Sequence, residues 1–296
     1  MTEHSDKADP IGFIGLGLMG AVMARRLAAA GFKTLGFDIE PAKATALREL
    51  GLEPAGSVAD IARRCRRIIL AVFSTDQVEE VTDQLASAGC AAGPLLVLCT
   101  STCDPDRIAA LAPRVAERGI VFVDAPVSGT SEQVARGDGL GLTGGDRAAV
   151  DAAADVLDAL FPRRVHIGAP GDAGRAKLAV NLILGLNRLA LAEGLVLAER
   201  LGLDTRAFLD VAKASAAYSQ VMDVKGEKMV AGNYAPQGRI AQSLKDVHLM
   251  QDQASRRGQA LPLTQIYAEI LEACVRQGEG DRDNCAVIEE VRRRRV

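Results

Sequence analysis

Apolar segments of strand length recur along the first 125 residues of the chain, with helical patterns between them. The predicted strands are residues 11–14, 34–37, 67–73, 95–99 and 120–124. The predicted helices are residues 21–30, 41–50, 58–64 (capped by Ser57) and 105–118. The segment 67–73 reads as an unbroken apolar strand, which is expected when helices cover both faces of a parallel sheet. Strands and helices alternating at this spacing predict a parallel, doubly wound α/β domain.

The pattern changes after about residue 165. Residues 173–201 contain no turn signal and are apolar nearly all round, so that a continuous helix there would be about 40 Å long at 1.5 Å per residue. Further helices are predicted at 204–215, 243–256, 263–277 and 284–296. We therefore expect a dinucleotide-binding domain over residues 10–170, a long connecting helix, and an all-helical domain for substrate binding and dimerisation over residues 171–296.

The long apolar helix needs cover on every side, and part of that cover is expected from a second subunit in a homodimer or homotetramer. Its apolar part contains Asn181, Asn187, Arg188 and Glu193, which indicates a buried helix of a soluble protein rather than a membrane span. The net charge of −3 gives no support for nucleic acid or an anionic membrane as a partner. We interpret the arginine run 292–295 as a solvated helix end that complements the helix dipole.

Cysteine and histidine usage bears on metals and on the compartment. The six cysteines form no CxxC pair and the chain has three histidines, so we expect no metal site and free thiols in a reducing, cytoplasmic environment. Residues 1–10 are polar and charged, without the apolar core of a signal peptide.

A glycine-rich loop, GLGLMG at residues 15–20, follows the first strand and opens a helix. In a dinucleotide site Gly15 allows the turn, Gly17 lets the backbone approach the pyrophosphate, and Gly20 permits close helix–strand packing. Asp38 lies 18 residues beyond Gly20, at the end of the second strand, where a carboxylate accepts hydrogen bonds from ribose hydroxyls and repels a 2′-phosphate. No arginine follows it directly, so NAD is favoured over NADP as the cofactor.

Lys177 and Asn181 are four residues apart, which places them on one face of the long helix. Gly174, three residues before the lysine, is expected to clear that face for a ligand. A buried lysine is costly unless it is paired or its pKa falls, and a lowered pKa suits a general base. Taken alone, Lys177 also fits a structural lysine that pairs with a distant carboxylate, and Lys245 beside Asp246 also fits a surface ion pair. Together with the dinucleotide loop, the pair favours hydride transfer to or from an alcohol or carbonyl.

The segment DAPVSGT at 124–130 ends the fifth predicted strand and turns. Ligands of open α/β sheets bind at the carboxyl ends of strands, so exposed amides and a hydroxyl here suit an anionic substrate group. An ordinary Ser-Gly turn fits the same residues equally well.

Taken together, the motifs IGFIGLGLMGAVMARRL, CTSTCDPD, DAPVSGT, GDAGRAKLAVNL and SLKDVHL resemble the β-hydroxyacid dehydrogenases in order and spacing, from about residue 10 to about 290. The resemblance implies a Rossmann-type domain, a helical domain and a cleft between them. It implies Lys177 as the catalytic residue with Asn181 beside it, and an NAD-dependent interconversion of a small β-hydroxy acid with its semialdehyde. Ser128 and Gly129 would hold the substrate carboxylate, and Thr130 would be a further substrate-binding position. The implied cofactor-binding positions are Gly15, Gly17, Leu18, Met19, Gly20, Asp38, Phe73, Thr102 and Lys245.

Three positions depart from the family pattern. Thr130 stands where a second glycine is usual, Val180 replaces the first of two asparagines, and Phe73-Ser74 replaces Leu-Pro. Thr130 is expected to narrow the substrate pocket, which leaves the identity of the acid open. Imine reductases resemble the chain less because they typically lack the lysine, and 6-phosphogluconate dehydrogenases need a longer C-terminal domain. A non-catalytic nucleotide-binding protein on the same fold is a further alternative, although it would need neither Lys177 nor Asn181.

Overall fold

The computed structural model describes residues 9–89 and 93–295. Most of the polar start of the chain, on which the expectation about a signal peptide rests, and Cys90 lie outside the described residues. The chain forms two compact units, the first ending at Lys177 and the second beginning at Leu178.

A mostly parallel sheet is the centre of the first unit. Its described strands are β1 (Ile11–Ile14), β2 (Thr34–Phe37), β3 (Leu52–Pro54), β4 (Arg67–Leu70), β5 (Leu95–Cys99), β6 (Ile120–Asp124), β7 (Val127–Ser128), β8 (Leu140–Gly144) and β9 (Arg163–Gly168). Their order is β3-β2-β1-β4-β5-β6-β8-β7, and β9 pairs with β8. The first six strands in this order are parallel, whereas β8 runs antiparallel to β6 and β7. The order reverses direction between β1 and β4, and ligands of such sheets bind beyond the strand ends at this point.

Alternate residues of each central strand pack on opposite faces of the sheet, as the period of two requires. In β4, Ile69 joins the hydrophobic cluster that contains Phe13, while Ile68 and Leu70 join the cluster that contains Val78. Both faces are therefore buried, which confirms the doubly wound α/β prediction and explains why the strand lacks alternating polar residues.

Helices cover both faces of this sheet. The described helices of the first unit are α1 (Leu18–Ala29), α2 (Pro41–Ala46), α3 (Val58–Arg64), α4 (Thr75–Ala88), α5 (Pro105–Ala116), α6 (Ser131–Arg136), α7 (Arg147–Ala152) and α8 (Ala154–Leu160). Ser57 caps α3 as predicted, because its side chain accepts a hydrogen bond from the Asp60 amide.

Two predicted elements of the first unit end at least three residues earlier than expected. The α-helix predicted over 41–50 ends at Ala46 and continues as a 3₁₀ turn, Arg48–Leu50, before Gly51 adopts a left-handed conformation. The strand predicted over 67–73 ends at Leu70, because Ser74 already forms a capping box with Gln77 at the start of α4. The elements from β7 to β9 were not predicted, since their apolar runs are short and interrupted by glycine and charged residues.

The long helix α9 (Asp172–Arg200) begins in the first unit and continues into the second. The second unit is helical in its described residues, as predicted. It contains α10 (Thr205–Ala214), a π-helical turn (Met222–Gly226), α11 (Glu227–Ala231), α12 (Ile240–Ser255), α13 (Pro262–Arg276), a 3₁₀ turn (Asn284–Ala286) and α14 (Val287–Arg293). Arg292 and Arg293 lie in the last turn of α14, where they pair with Glu289 and Glu290 respectively.

Among the described residues, α9 is the one helix whose length and composition would allow it to cross a membrane. Of its most apolar window, 33% is buried. The same features characterise the central helix of a helical domain. Arg188, within this window, donates a hydrogen bond of 2.8 Å to Tyr267 of α13, so part of the helix is held by polar contacts inside the second unit.

Candidate active site

The glycine loop lies where the order of strands reverses. Gly15 has a φ of +93°, and a β-carbon there would lie 2.5 Å from the Ala71 carbonyl oxygen, just beyond β4. A β-carbon on Gly20 would lie 2.0 Å from the Gly15 carbonyl oxygen, so this glycine is required for the packing of α1 against the loop. At Gly17 a β-carbon would meet no atom within 4 Å. The loop therefore leaves open space beside Gly17, at the start of a twelve-residue helix whose N-cap residue offers no side chain to the first amides. These features fit a dinucleotide pyrophosphate.

Asp38, the residue predicted to contact the ribose, supports the glycine loop through its own hydrogen bonds. Its Oδ2 accepts a hydrogen bond of 2.8 Å from the Leu16 amide, and its Oδ1 accepts one of 2.9 Å from the Glu40 amide. Lys43 Nζ lies 3.5 Å from Oδ1. Asp38 itself is 8% exposed, whereas the adjacent Ile39 side chain is 81% exposed.

The loops after β4 and β5, which carry Phe73 and Thr102, are tied to each other. The Thr100 hydroxyl donates to the Leu70 carbonyl oxygen at 2.8 Å, and the Ser101 hydroxyl donates to that of Val72 at 2.7 Å. Thr102 follows directly, so its place relative to the end of β4 is fixed by these two bonds.

The predicted substrate loop follows β6. Ser128 ends the short strand β7 and is partly exposed, and Gly129 is exposed. The Thr130 side chain caps α6: its Oγ1 accepts a hydrogen bond from the Gln133 amide, and the Gln133 side chain accepts one from the Thr130 amide. The Thr130 hydroxyl is therefore already engaged in the N-terminal cap of α6.

The start of α9 packs against both β6 and α5. Asp124, the last residue of β6, is buried, and its Oδ2 accepts a hydrogen bond of 2.8 Å from the Gly174 amide. A β-carbon on Gly174 would point at Asp124 Oδ2 and Pro105, each 3.4 Å away. The expectation that Gly174 leaves its face open for a ligand is therefore wrong, because Asp124 and Pro105 fill that space. One turn further on, Lys177 is buried, with 6% of its surface exposed.

Burial raises the pKa of Asp124 to about 7, even though hydrogen bonds from the amides of Gly174 and Gly171 lower it. A carboxyl group in this environment is strongly penalised in its charged form. Keeping Asp124 buried between the end of β6 and the start of α9 therefore costs folding free energy.

In the second unit, a buried carboxylate joins two of the predicted site residues. Asp246 Oδ2 accepts a hydrogen bond of 3.0 Å from Asn181 Nδ2, and its Oδ1 lies 3.0 Å from Lys245 Nζ. Gln242 Nε2 lies 3.3 Å from Oδ1. Asp246 is 6% exposed, so the Lys245–Asp246 pair is not an ordinary surface ion pair.

Asp124 and Asp246 were not among the predicted site residues. Asp124 is the first residue of the segment 124–130 and Asp246 directly follows Lys245, but the contacts of the two acids join residues 50 and 65 positions apart. No local pattern encodes such contacts. Among the described residues, no group of three or more His, Cys, Asp and Glu side chains could hold a metal ion, and the five described cysteines are free and buried.

Comparison with known proteins adds an independent line of evidence. Residues 10–168 match the family described as the NAD binding domain of 6-phosphogluconate dehydrogenase, and residues 171–291 match the family described as NAD-binding of NADP-dependent 3-hydroxyisobutyrate dehydrogenase. The chain is 32% identical over 280 residues to L-threonate dehydrogenase of Cupriavidus necator, covering 94% of each protein. It resembles the crystal structure of 3-hydroxyisobutyrate dehydrogenase from Salmonella typhimurium with a TM-score of 0.86 and 28% identity, covering 95% of this chain and 99% of that one.

An imine reductase from Pseudomonas sp. is a more distant match, with a TM-score of 0.66 and 21% identity over 96% of this chain and 99% of the other. That likeness shows a shared fold alone. The alternative of an imine reductase is therefore less well supported than that of a hydroxyacid dehydrogenase.

Proposed function

Since the chain belongs to the β-hydroxyacid dehydrogenase family, and is thus an NAD(P)-dependent oxidoreductase acting on hydroxyl groups, we propose that Lys177 transfers the proton in its reaction. The observation that carries this proposal is the arrangement on α9. Lys177 is buried, Asn181 lies one helical turn further, and the buried Asp246 fixes the Asn181 amide.

The proposed chemistry uses Lys177 as a general acid or base. When the hydroxy acid is oxidised, the neutral amine takes the hydroxyl proton, and when the semialdehyde is reduced, the ammonium group returns it. The nicotinamide ring supplies the hydride chemistry when the cofactor is bound. Burial of Lys177 would keep water away from the proton transfer.

Asn181 is proposed to orient the reacting oxygen. An ionised carboxylate only accepts hydrogen bonds, so Asp246 requires the Asn181 NH₂ group to face it. The amide carbonyl oxygen then points away from Asp246 and can accept a hydrogen bond from the substrate hydroxyl or from the lysine. Asp246 thereby fixes which end of the amide faces the reaction.

The substrate carboxylate is proposed to bind to the Ser128 hydroxyl and the Gly129 amide, beside Thr130. Support comes from their exposure at the end of a strand, on the side of the sheet where ligands bind. Because the Thr130 hydroxyl caps α6, this residue would meet a ligand with its methyl group and restrict the size of the substrate.

We propose NAD as the preferred cofactor. Asp38 supports that preference, because its carboxylate is held at the end of β2 by two backbone amides and would lie against a 2′-phosphate. The only cation within 4 Å of it that the described residues show is Lys43, which also pairs with Glu40.

A homodimer or homotetramer is proposed because several large apolar side chains of the second unit are exposed in one chain. Ile183 and Leu197 of α9 are each 59% exposed, and Leu201, Val211 and Leu263 are more than 60% exposed. A second copy would cover such a surface. Sedimentation at micromolar concentration should show a species larger than 31 kDa; a monomer alone would contradict the proposal. We also propose that the protein is cytoplasmic and that its partners include neither nucleic acid nor a membrane.

The function is tested by following absorbance of reduced nicotinamide with a panel of acids and aldehydes. Suitable substrates are 3-hydroxyisobutyrate, glycerate, threonate and 3-hydroxypropionate, each with the corresponding semialdehyde. Saturable turnover of at least one pair is expected. Cofactor binding without turnover of any member would instead support a nucleotide-binding protein.

A further inference from the structure

The contact between Asp124 and Gly174 connects the two halves of the proposed site within the first unit. Asp124 ends β6, and four residues later the chain reaches Ser128, the proposed carboxylate-binding residue. Gly174 is the third residue of α9, and three residues later the chain reaches Lys177. Hydrogen bonds to Asp124 from the Gly174 amide, at 2.8 Å, and from the Gly171 amide therefore connect the end of β6 with the start of the helix that carries the lysine.

The Gly174 amide is one of the four at a helix start that have no acceptor inside the helix. The fold supplies a carboxylate from another strand, although Asp172 also lies in this first turn and accepts a hydrogen bond from the Ala169 amide at 2.9 Å. A carboxylate at this end of a helix is favoured by the helix dipole. Asp124 thus acts as a cap from outside the helix. It fixes the position of the first turn as well as its helical conformation.

Neighbouring contacts limit the freedom of this turn further. A β-carbon on Gly171, whose φ is +92°, would lie 2.4 Å from the Pro105 carbonyl oxygen at the start of α5. Arg175 Nη2 donates to Asp106 of α5 at 2.9 Å. The start of α9 is therefore held by contacts with α5 as well as by Asp124.

We propose that Asp124 is a positioning residue, whose carboxylate holds the first turn of α9 so that Lys177 is correctly placed relative to the Ser128–Gly129 loop. This inference rests on the proposed function of Lys177 and extends it. The buried carboxyl is costly to maintain, and a neutral residue or a local side-chain cap would stabilise the helix start at less cost. Neither would connect the helix to the end of β6.

The test compares Asp124→Asn and Asp124→Ala with the unmodified enzyme. Misplacement of a catalytic group by about 1 Å can lower turnover by about 10²-fold. We expect kcat per folded molecule to fall by about that factor in Asp124→Ala and by less in Asp124→Asn, whose oxygen can still accept the Gly174 bond. KM for the hydroxy acid and Kd for NAD should change little. With a substrate deuterated at the reacting carbon, the isotope effect on kcat should increase, because the chemical step becomes slower.

The matched control is Asp146→Ala. Asp146 caps α7 through the Ala148 amide in the same unit, but it lies outside the proposed site. This variant should lower the melting temperature without changing kcat or the isotope effect. If Asp124→Asn and Asp124→Ala behave in the same way, losing stability at unchanged kcat and isotope effect, Asp124 is merely structural and the proposal is overturned.

Hydrogen exchange gives a measurement that does not depend on activity. In Asp124→Ala the Gly174 amide has lost its acceptor, so it should exchange at least ~10-fold faster than in the unmodified protein. The exchange is followed in a peptide that covers the first turn of α9. Unchanged exchange would overturn the positioning role even if turnover fell. If the unmodified protein turned over no substrate while exchange still depended on Asp124, the proposed function would have failed and the capping contact would stand.

Discussion

Asn181 Nδ2 donates a hydrogen bond of 3.0 Å to Asp246 Oδ2, which joins helix α9 to helix α12 across 65 residues of sequence. The carboxylate that accepts this bond is buried and also pairs with Lys245, one of the residues at which cofactor contact is proposed. One acidic side chain thus fixes two proposed functional groups.

Asp246→Asn should therefore reduce activity more than stability. A neutral amide can present either a donor or an acceptor to Asn181, so the orientation of the Asn181 amide is no longer fixed. A hydrogen bond to a charged group contributes about 1.5–3 kcal/mol, which corresponds to at least a ~10-fold loss of kcat/KM. Steady-state kinetics of Asp246→Asn and Gln242→Ala provide the check. Gln242→Ala removes only a 3.3 Å contact to the same carboxylate and should have a small effect; equal effects of the two variants would contradict the account.

Substitution of two glycines in the loop should separate cofactor binding from folding. A methyl group at Gly17 meets no atom within 4 Å, whereas one at Gly20 would lie 2.0 Å from the Gly15 carbonyl oxygen. Gly17→Ala should keep the melting temperature and weaken NAD binding at least ~10-fold, which is about 1.4 kcal/mol, because the methyl group occupies the space for the pyrophosphate. Gly20→Ala should lower the melting temperature. Calorimetric titration and thermal unfolding of both variants test this, and unchanged NAD affinity in Gly17→Ala would exclude the loop as the pyrophosphate site.

The preference for NAD should be large and should depend on Asp38. We expect kcat/KM with NAD to exceed that with NADP at least ~10-fold, a difference of about 1.4 kcal/mol. Asp38→Ser combined with Ile39→Arg should narrow or reverse this ratio, and position 39 accepts an arginine readily because its side chain is 81% exposed. The variant should also bind both cofactors less tightly, since Asp38 no longer accepts the Leu16 amide. Equal use of NAD and NADP by the unmodified enzyme would contradict the prediction.

The raised pKa of Asp124 predicts a specific dependence of stability on pH. Burial raises this pKa from an ordinary value of 3.8 to about 7, so between these values the folded protein holds a proton that the unfolded chain releases. The contribution of this group to the free energy of unfolding is therefore complete below pH 3.8 and is lost as the pH rises through about 7. The free energy of unfolding of the unmodified protein, relative to that of Asp124→Asn, should decrease between pH 5 and pH 8. Urea denaturation across this range tests the sign, and a difference that is constant or increases would contradict it.

Much of the fold could be predicted from the sequence, because its signals are local. The strands β1, β2, β5 and β6 have the predicted bounds, and the glycine loop with Asp38 indicated the dinucleotide site from spacing alone. The family resemblance supplied the proposed roles of Lys177 and Ser128, because no local pattern distinguishes these residues from a structural lysine or an ordinary turn. The contacts of Asp124 and Asp246 could not be predicted, because each joins distant segments of the chain. Gly174 was misinterpreted for the same reason, since its neighbours come from β6 and α5.

The central claim, proton transfer by Lys177, is tested most directly by measuring kcat and the melting temperature of Lys177→Ala and Lys177→Arg together. Arginine keeps the positive charge but stays protonated, so it cannot act as a base. The account predicts that both variants fold and bind NAD, and that kcat falls at least ~10²-fold in each, the lower end of what a general acid–base contributes. Near-normal kcat in Lys177→Ala, or recovery of activity in Lys177→Arg, would contradict it, because the lysine would then be structural or act only through its charge.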